Sequence, residues 1–308
     1  MKSSLTLILF SLMVFLVSCS TQEVKKTDSF IMNLELQTSN KNKEMIIENV
    51  LEQNIIFSID FNKEGSYRLD ENILDSSLKY FCNGFIQDQN IYLQSLVFGP
   101  SKIKDKKILI IYSESFDEYA NELKKSYPNE LYFYLDRNNY EDAIKDIFNV
   151  HDSIDKHLKI SKLDKDLNFD HSPRIRNDIS KIYFLLDYSF GKTVVPYVRN
   201  YAFKIDSYSS SEIFHEANNI KKLVDFENLY TPLSEELIEK IQQKKNIKSI
   251  RNELEKLLIK DFLLIENLYQ NNLFEKNISL NTSNQKIRNN NKCIDRSFEI
   301  YKISSNNF

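Results

Sequence analysis

Apolar and polar residues alternate in blocks along this chain, and the middle of the sequence is the most sharply patterned. Residues 107–112 (KILIIY) form a continuous apolar run of strand length, as expected of a strand buried on both faces. Ser115, with Glu118 three residues on, has the form of a capping box, followed by an apolar stripe at Phe116, Tyr119, Ala120 and Leu123 that ends at Pro128. A second strand is predicted over 131–135. Asn139 caps a second helix, which turns Tyr140, Ala143, Ile144, Ile147 and Phe148 to one side. A third buried strand covers 182–186, and a helix follows from about Ser189, interrupted by Pro196. Strands and helices alternating at this spacing predict parallel βαβ units.

The flanks are less regular. Short strand signals fall at 55–59, 80–82, 91–98 and 223–226. Amphipathic helices are predicted over 235–245 and from about 250 to 268. The end of the chain returns to two-residue alternation at 277–280 and 297–303, which reads as a hairpin with a long polar loop. Residues 20–43 are polar apart from a short apolar patch around 30–36, and read as a tether. No internal repeat is present.

The N-terminus adds a different signal. Lys2 is followed by an apolar stretch, 5–17, and then by Ser18-Cys19, with Leu16 three positions before the cysteine. A positive start, an apolar core and small residues at the cut describe a secretory leader. The cysteine makes it the lipoprotein variant, in which the Cys19 thiol is acylated and becomes the mature N-terminus. The stretch is shorter than the ~20 apolar residues of a membrane-spanning helix. Ser20, in place of an aspartate, favours the outer membrane.

Composition narrows the function classes. Lys and Arg number 41 against 44 Asp and Glu, so no basic face for a nucleic acid is indicated. Four glycines in 308 residues leave few for loops that wrap phosphate or a small ligand. Gly191-Lys192-Thr193 lacks the glycine five residues upstream that a phosphate loop needs, since Leu186 stands there, and His215-Glu216 lacks the second histidine of a zinc helix. The four histidines lie in polar stretches and read as solvated. No catalytic set, metal cluster or cofactor site emerges. Cys82 and Cys293 can pair in an oxidising periplasm, provided the fold returns the C-terminus to the first part of the chain.

One stretch resembles a known family. His151-Asp152-Ser153, His157, Leu163 and Leu167-Asn168-Phe169 lead to Pro173-Arg174-Ile175-Arg176-Asn177-Asp178 and the strand at 182–186. This resembles the C-terminal domain of the penicillin-binding protein activators, the LpoA/LppC-type lipoproteins, best over about 105–230. The resemblance implies an α/β, type I periplasmic-binding-protein-like fold of two lobes, with parallel sheets flanked by helices. It also implies a non-catalytic outer-membrane lipoprotein that binds and stimulates a bifunctional penicillin-binding protein.

The expected organisation is a leader (1–18), a tether (19–44), a reduced first lobe (45–105, completed by about 230–275) and a second lobe (106–229, completed by a hairpin at 276–308). The family's helical-repeat domain has no room here. Ligands in such sheets sit beyond the carboxyl ends of strands, which nominates Ser113, Glu114, Asp187, Tyr188, Ser207 and Tyr208 as cleft-lining residues of a small-molecule receptor, the alternative function. Arg174, Arg176 and Asp178 point to one side of an extended segment. They read either as an ion-paired cluster packing a loop or as a docking site for an acidic partner.

Overall fold

The computed structural model describes residues 31–53, 56–99, 106–163, 173, 175–244, 247–273, 278–287 and 293–307. Cys19, the leader and Arg174 lie outside the described residues.

The strands of the second lobe fall close to where the sequence pattern predicts them, but the Ser115 capping box does not form. Glu114–Phe116 is a 3-10 turn, the helix after it starts at Asp117, and neither that helix nor the one that follows Asn139 has a side-chain cap. Strands β4 (Lys107–Tyr112), β5 (Leu131–Tyr134), β6 (Ile179–Leu185), β7 (Asp206–Tyr208) and β8 (Leu229–Thr231) form a parallel sheet in the order β5-β4-β6-β7-β8. β11 (Tyr301–Lys302) closes its far edge antiparallel to β8. The apolar run of β4 serves both faces. Ile108 and Ile110 pack with Leu93 and Val97 of helix α2 (Phe85–Val97) and with Ala120 and Leu123 of α3 (Asp117–Ser126). Leu109 and Ile111 join the opposite layer, with Ile144 and Ile147 of α4 (Tyr140–Ile147) and Val194 and Val198 of α6 (Tyr188–Ala202). Between α4 and α6 the chain forms α5 (Val150–Leu163). α6 runs on through Pro196, whose missing amide leaves the Lys192 carbonyl without its helical donor. Gly191 is a packing residue, because a Cβ there would meet Ile213 Cγ1 at 2.7 Å.

The first lobe is smaller, a parallel three-stranded sheet ordered β2-β1-β3 from β1 (Ile31–Thr38), β2 (Ile56–Asp60) and β3 (Tyr67–Leu69). Helix α1 (Asn40–Leu51), capped by Ser39, packs on one face together with α8 (Ile250–Gln270). α7 (Glu235–Gln242) precedes α8.

Several expectations are corrected here. The tether does not extend to residue 44: 31–38 is the central strand of the first lobe, with Met32, Leu34 and Leu36 buried and the alternate residues facing out. Residues 91–97 belong to α2, with Phe98 as its C-cap, because Leu93 and Val97 are one helical turn apart on the face that meets β4. Residues 223–226 lie in a 3-10 helix (Ile220–Phe226), and the strand comes after it, at 229–231.

The C-terminal hairpin is formed by β9 (Asn284–Ile287) and β10 (Ile294–Ser297), not by 277–280 and 297–303. It does not complete the second sheet. β10 lies against Phe81 and α2, and the segment after it, with β11 and Ile303, reaches the second lobe. Cys82 and Cys293 are joined by a disulfide, flanked by hydrogen bonds from Cys82 N to Ile294 O (3.0 Å) and from Ile294 N to Tyr80 O (2.8 Å). Next to it the buried Arg296 donates to Asp88 Oδ2 (2.8 Å) and Asn83 O (2.9 Å) and stacks on Phe81 at 4.1 Å.

Candidate functional site

In the second sheet the chain leaves β4 towards β5 on one side and returns to β6 on the other. The carboxyl ends of β4 and β6 therefore flank a topological switch point, where open α/β sheets form their ligand crevice. A hollow of about 420 Å³ lies there, lined by Ser113, Glu114 and Ser115 after β4, by 134–138 after β5, and by Asp187 after β6.

Its polar groups are largely engaged with one another. Asp187 caps α6: Oδ1 accepts from Phe190 N (3.1 Å) and from Ser189 Oγ (2.7 Å). Its Oδ2 accepts from Arg137 Nη2 at 2.7 Å. Arg137 Nη1 donates to Ser189 Oγ (2.8 Å), and the guanidinium lies over the Phe190 ring at 5.1 Å. Burial pushes the Asp187 pKa up, but these hydrogen bonds and the Arg137 charge outweigh it, and the carboxyl titrates below its ordinary value. Asp136 Oδ1 takes Asn138 N at 2.8 Å, and the Ser113 and Ser115 hydroxyls meet at 3.2 Å. A helix N-terminus beside an arginine is equipped to hold an anion. Here the chain's own Asp187 occupies that equipment.

The sequence-nominated residues divide accordingly. Ser113, Glu114 and Asp187 come together in the hollow. Tyr188 is buried against Phe226, at a ring distance of 6.1 Å. Tyr208 is buried within β7 and stacked on Tyr230 at 5.3 Å, and the Ser207 hydroxyl turns back to Ile205 O. Asp136 and Arg137 were missed, although the end of β5 is a strand end of the same kind as those of β4 and β6. Arg176 makes a two-pronged pair with Asp178 (2.7 and 2.6 Å) and donates from Nη1 to Ile147 O (3.3 Å), fastening the segment before β6 to the end of α4. The Arg176 hydrogen bond holds the Asp178 carboxyl below its usual range.

Beyond β7 lies a buried polar network. Gln89 of α2 is fully buried. Its Oε1 accepts from Ser211 N (3.0 Å) and Ser211 Oγ (2.9 Å), and its Nε2 donates to Pro232 O (3.1 Å). Ser211 Oγ lies 3.0 Å from His215 Nε2. Since the hydroxyl proton goes to Gln89, the imidazole carries its proton on Nε2 and donates. His215 is thus buried, not solvated as its polar sequence neighbours suggest, and burial, followed by the nearby Arg251 charge, lowers its pKa to about 3. Asp261, buried in α8, accepts from the amides and side chains of Asn281 and Thr282, which pins the 278–283 loop. A second hollow, about 470 Å³, sits at the carboxyl ends of β1 and β3, beside Thr38, Ser39, Arg68 and Asp70. No group of metal-ligating side chains occurs among the described residues.

Comparison with known proteins bears on the fold. No family model matches the chain, and no curated protein matches it. Among solved structures, a protein from Rhodospirillum rubrum described as a branched-chain amino acid ABC transporter is similar at 11% identity and a TM-score of 0.50, covering 90% of this chain and 98% of that one. Full-length LpoA from Haemophilus influenzae is similar at 9% identity and a TM-score of 0.44 over 89% of this chain. The LpoA C-domain from the same organism is similar at 8% identity and a TM-score of 0.42. The chain spans about half of full-length LpoA (47%). The fold is α/β, with parallel sheets flanked by helices, of the type I periplasmic-binding-protein-like kind.

Proposed function

We propose that this chain is a non-catalytic envelope lipoprotein, anchored to the outer membrane through Cys19 and facing the periplasm. On this reading it binds a bifunctional penicillin-binding protein and regulates peptidoglycan synthesis. The state of the switch point carries the choice of a protein partner over a small molecule. Ligand pockets enclose most of their ligand with convergent free polar groups. The hollow here is open, and its arginine and helix N-terminus already hold Asp187. Gln89, Ser211 and His215 beyond β7 are buried and hydrogen-bonded to one another. The disulfide fits an oxidising compartment. The resemblance of 173–178 to the penicillin-binding protein activators supplies the partner class, and the LpoA C-domain of Haemophilus influenzae belongs to a regulator of PBP1A.

One observation favours the receptor alternative: the volume of the hollow, about 420 Å³, is that of a small-ligand site. Capture of the tagged chain from crosslinked cell envelopes separates the two readings. A bifunctional synthase enriched over an unrelated outer-membrane lipoprotein is the expected result. Recovery of the membrane subunits of a transporter, without a synthase, would favour the receptor and reject the activator reading.

A further inference from the structure

One end of the first lobe carries a concentration of exposed apolar side chains. Ile31 and Ile56 are register partners at the starts of β1 and β2, and are 56% and 52% exposed. Leu51, the last residue of α1, is 79% exposed and stands five residues before β2 begins. Ile47, one turn earlier on the same helix face, is also exposed. α8 brings Leu273 to this end. Gln270 hydrogen-bonds both the amide and the carbonyl of Asn33, and Leu273, three residues on, is exposed. Apolar residues scattered singly over a surface are ordinary, whereas a group at one pole marks an interaction surface. The neighbouring carboxylates are neutralised: Glu48 pairs with Lys256 and Glu52 with Lys260, so neither repels an anionic surface.

The route by which the chain enters says what meets this pole. Ile31 is twelve residues from Cys19, a link that spans at most about 40 Å when fully extended. A short link holds the bilayer at a high effective concentration beside the strand it leads into, so apolar contacts too weak to bind a free protein suffice for a tethered one. We infer that the pole formed by Ile31, Ile47, Leu51, Ile56 and Leu273 rests on the lipid surface and orients the anchored domain. This rests on the reading of Cys19 as the lipidated residue.

The chain contains no tryptophan, so a single one reports its own surroundings. The full mature chain is coupled through Cys19 to maleimide headgroups in vesicles of phosphatidylethanolamine and phosphatidylglycerol, while the other two cysteines are held in their disulfide. Leu51→Trp should then show a blue-shifted emission. Brominated acyl chains should quench it about threefold more strongly than Phe203→Trp, an exposed position on the second lobe. Equal quenching at the two positions, or none at Leu51→Trp, overturns the inference. Both positions are exposed, so neither substitution disturbs the core. Palmitate incorporation at Cys19 in cells is scored separately. Its absence removes the anchor reading, whereas palmitate present without quenching removes the orientation alone.

Discussion

Replacing Cys82 and Cys293 together by serine is expected to lower the melting temperature by roughly 10 °C or more. The cross-link closes a loop with a sequence separation of 211. For a loop of that length the chain-entropy account gives about 5 kcal/mol, acting mostly through the unfolded ensemble. Native contacts near the bridge depend on it too. The Ile294 and Cys82 hydrogen bonds fix β10 against residues 80–82, and β10 carries Arg296. That guanidinium is the charge partner of the buried Asp88 and is itself fully buried. Breaking a buried pair leaves an uncompensated charge that costs several kcal/mol. If the hairpin peels away, Asp88 loses its partner and α2 loses the contact that holds its first turn. Thermal scans of wild type and variant without reductant test this, and a shift smaller than about 2 °C would contradict it.

Acid should destabilise the protein through His215 well before the carboxylates are fully protonated. The folded state holds this imidazole neutral down to about pH 3, whereas the unfolded chain takes up a proton near pH 6.5. The stabilisation is therefore complete above pH 6.5 and is lost as pH falls towards 3, at about 1.4 kcal/mol per pH unit. Arg251 faces the same site and reinforces the effect, because a second positive charge there is unfavourable. His215→Gln can still donate to Ser211 but does not titrate. Denaturant midpoints measured between pH 7 and 4 should fall more steeply for wild type than for the variant. Parallel profiles would show that His215 is protonated in the folded state or is solvated.

The contrast between the lobes explains what could be read from sequence. β4 and β6 are apolar on both faces because helices cover both, so each stands out as a continuous run. β1 has one buried face. Its inward residues Met32, Leu34 and Leu36 are separated by polar ones, and at the end of a polar stretch this alternation resembled a tether. The second half of α2 has the look of a strand in sequence because its exposed Ile91 extends the apolar run beyond the buried Leu93 and Val97. β7 and β8 are three residues each, too short to carry a period.

The site was legible to the extent that topology decides it. The ends of β4 and β6 gave Ser113, Glu114 and Asp187. Arg137 could not be paired with Asp187 before the sheet order placed β5 beside β4. The burial of His215 depends on Gln89, far away in sequence, and no local pattern announces it.

The central claim, regulation of a synthase by protein contact, is tested most directly by reconstitution. A bifunctional penicillin-binding protein from the same cell is placed in liposomes, and glycan-strand synthesis is followed with and without the lipid-anchored chain. A rise in the polymerisation or cross-linking rate that saturates with added chain is the predicted result. An unchanged rate at concentrations where the chain fully occupies the liposome surface would contradict it.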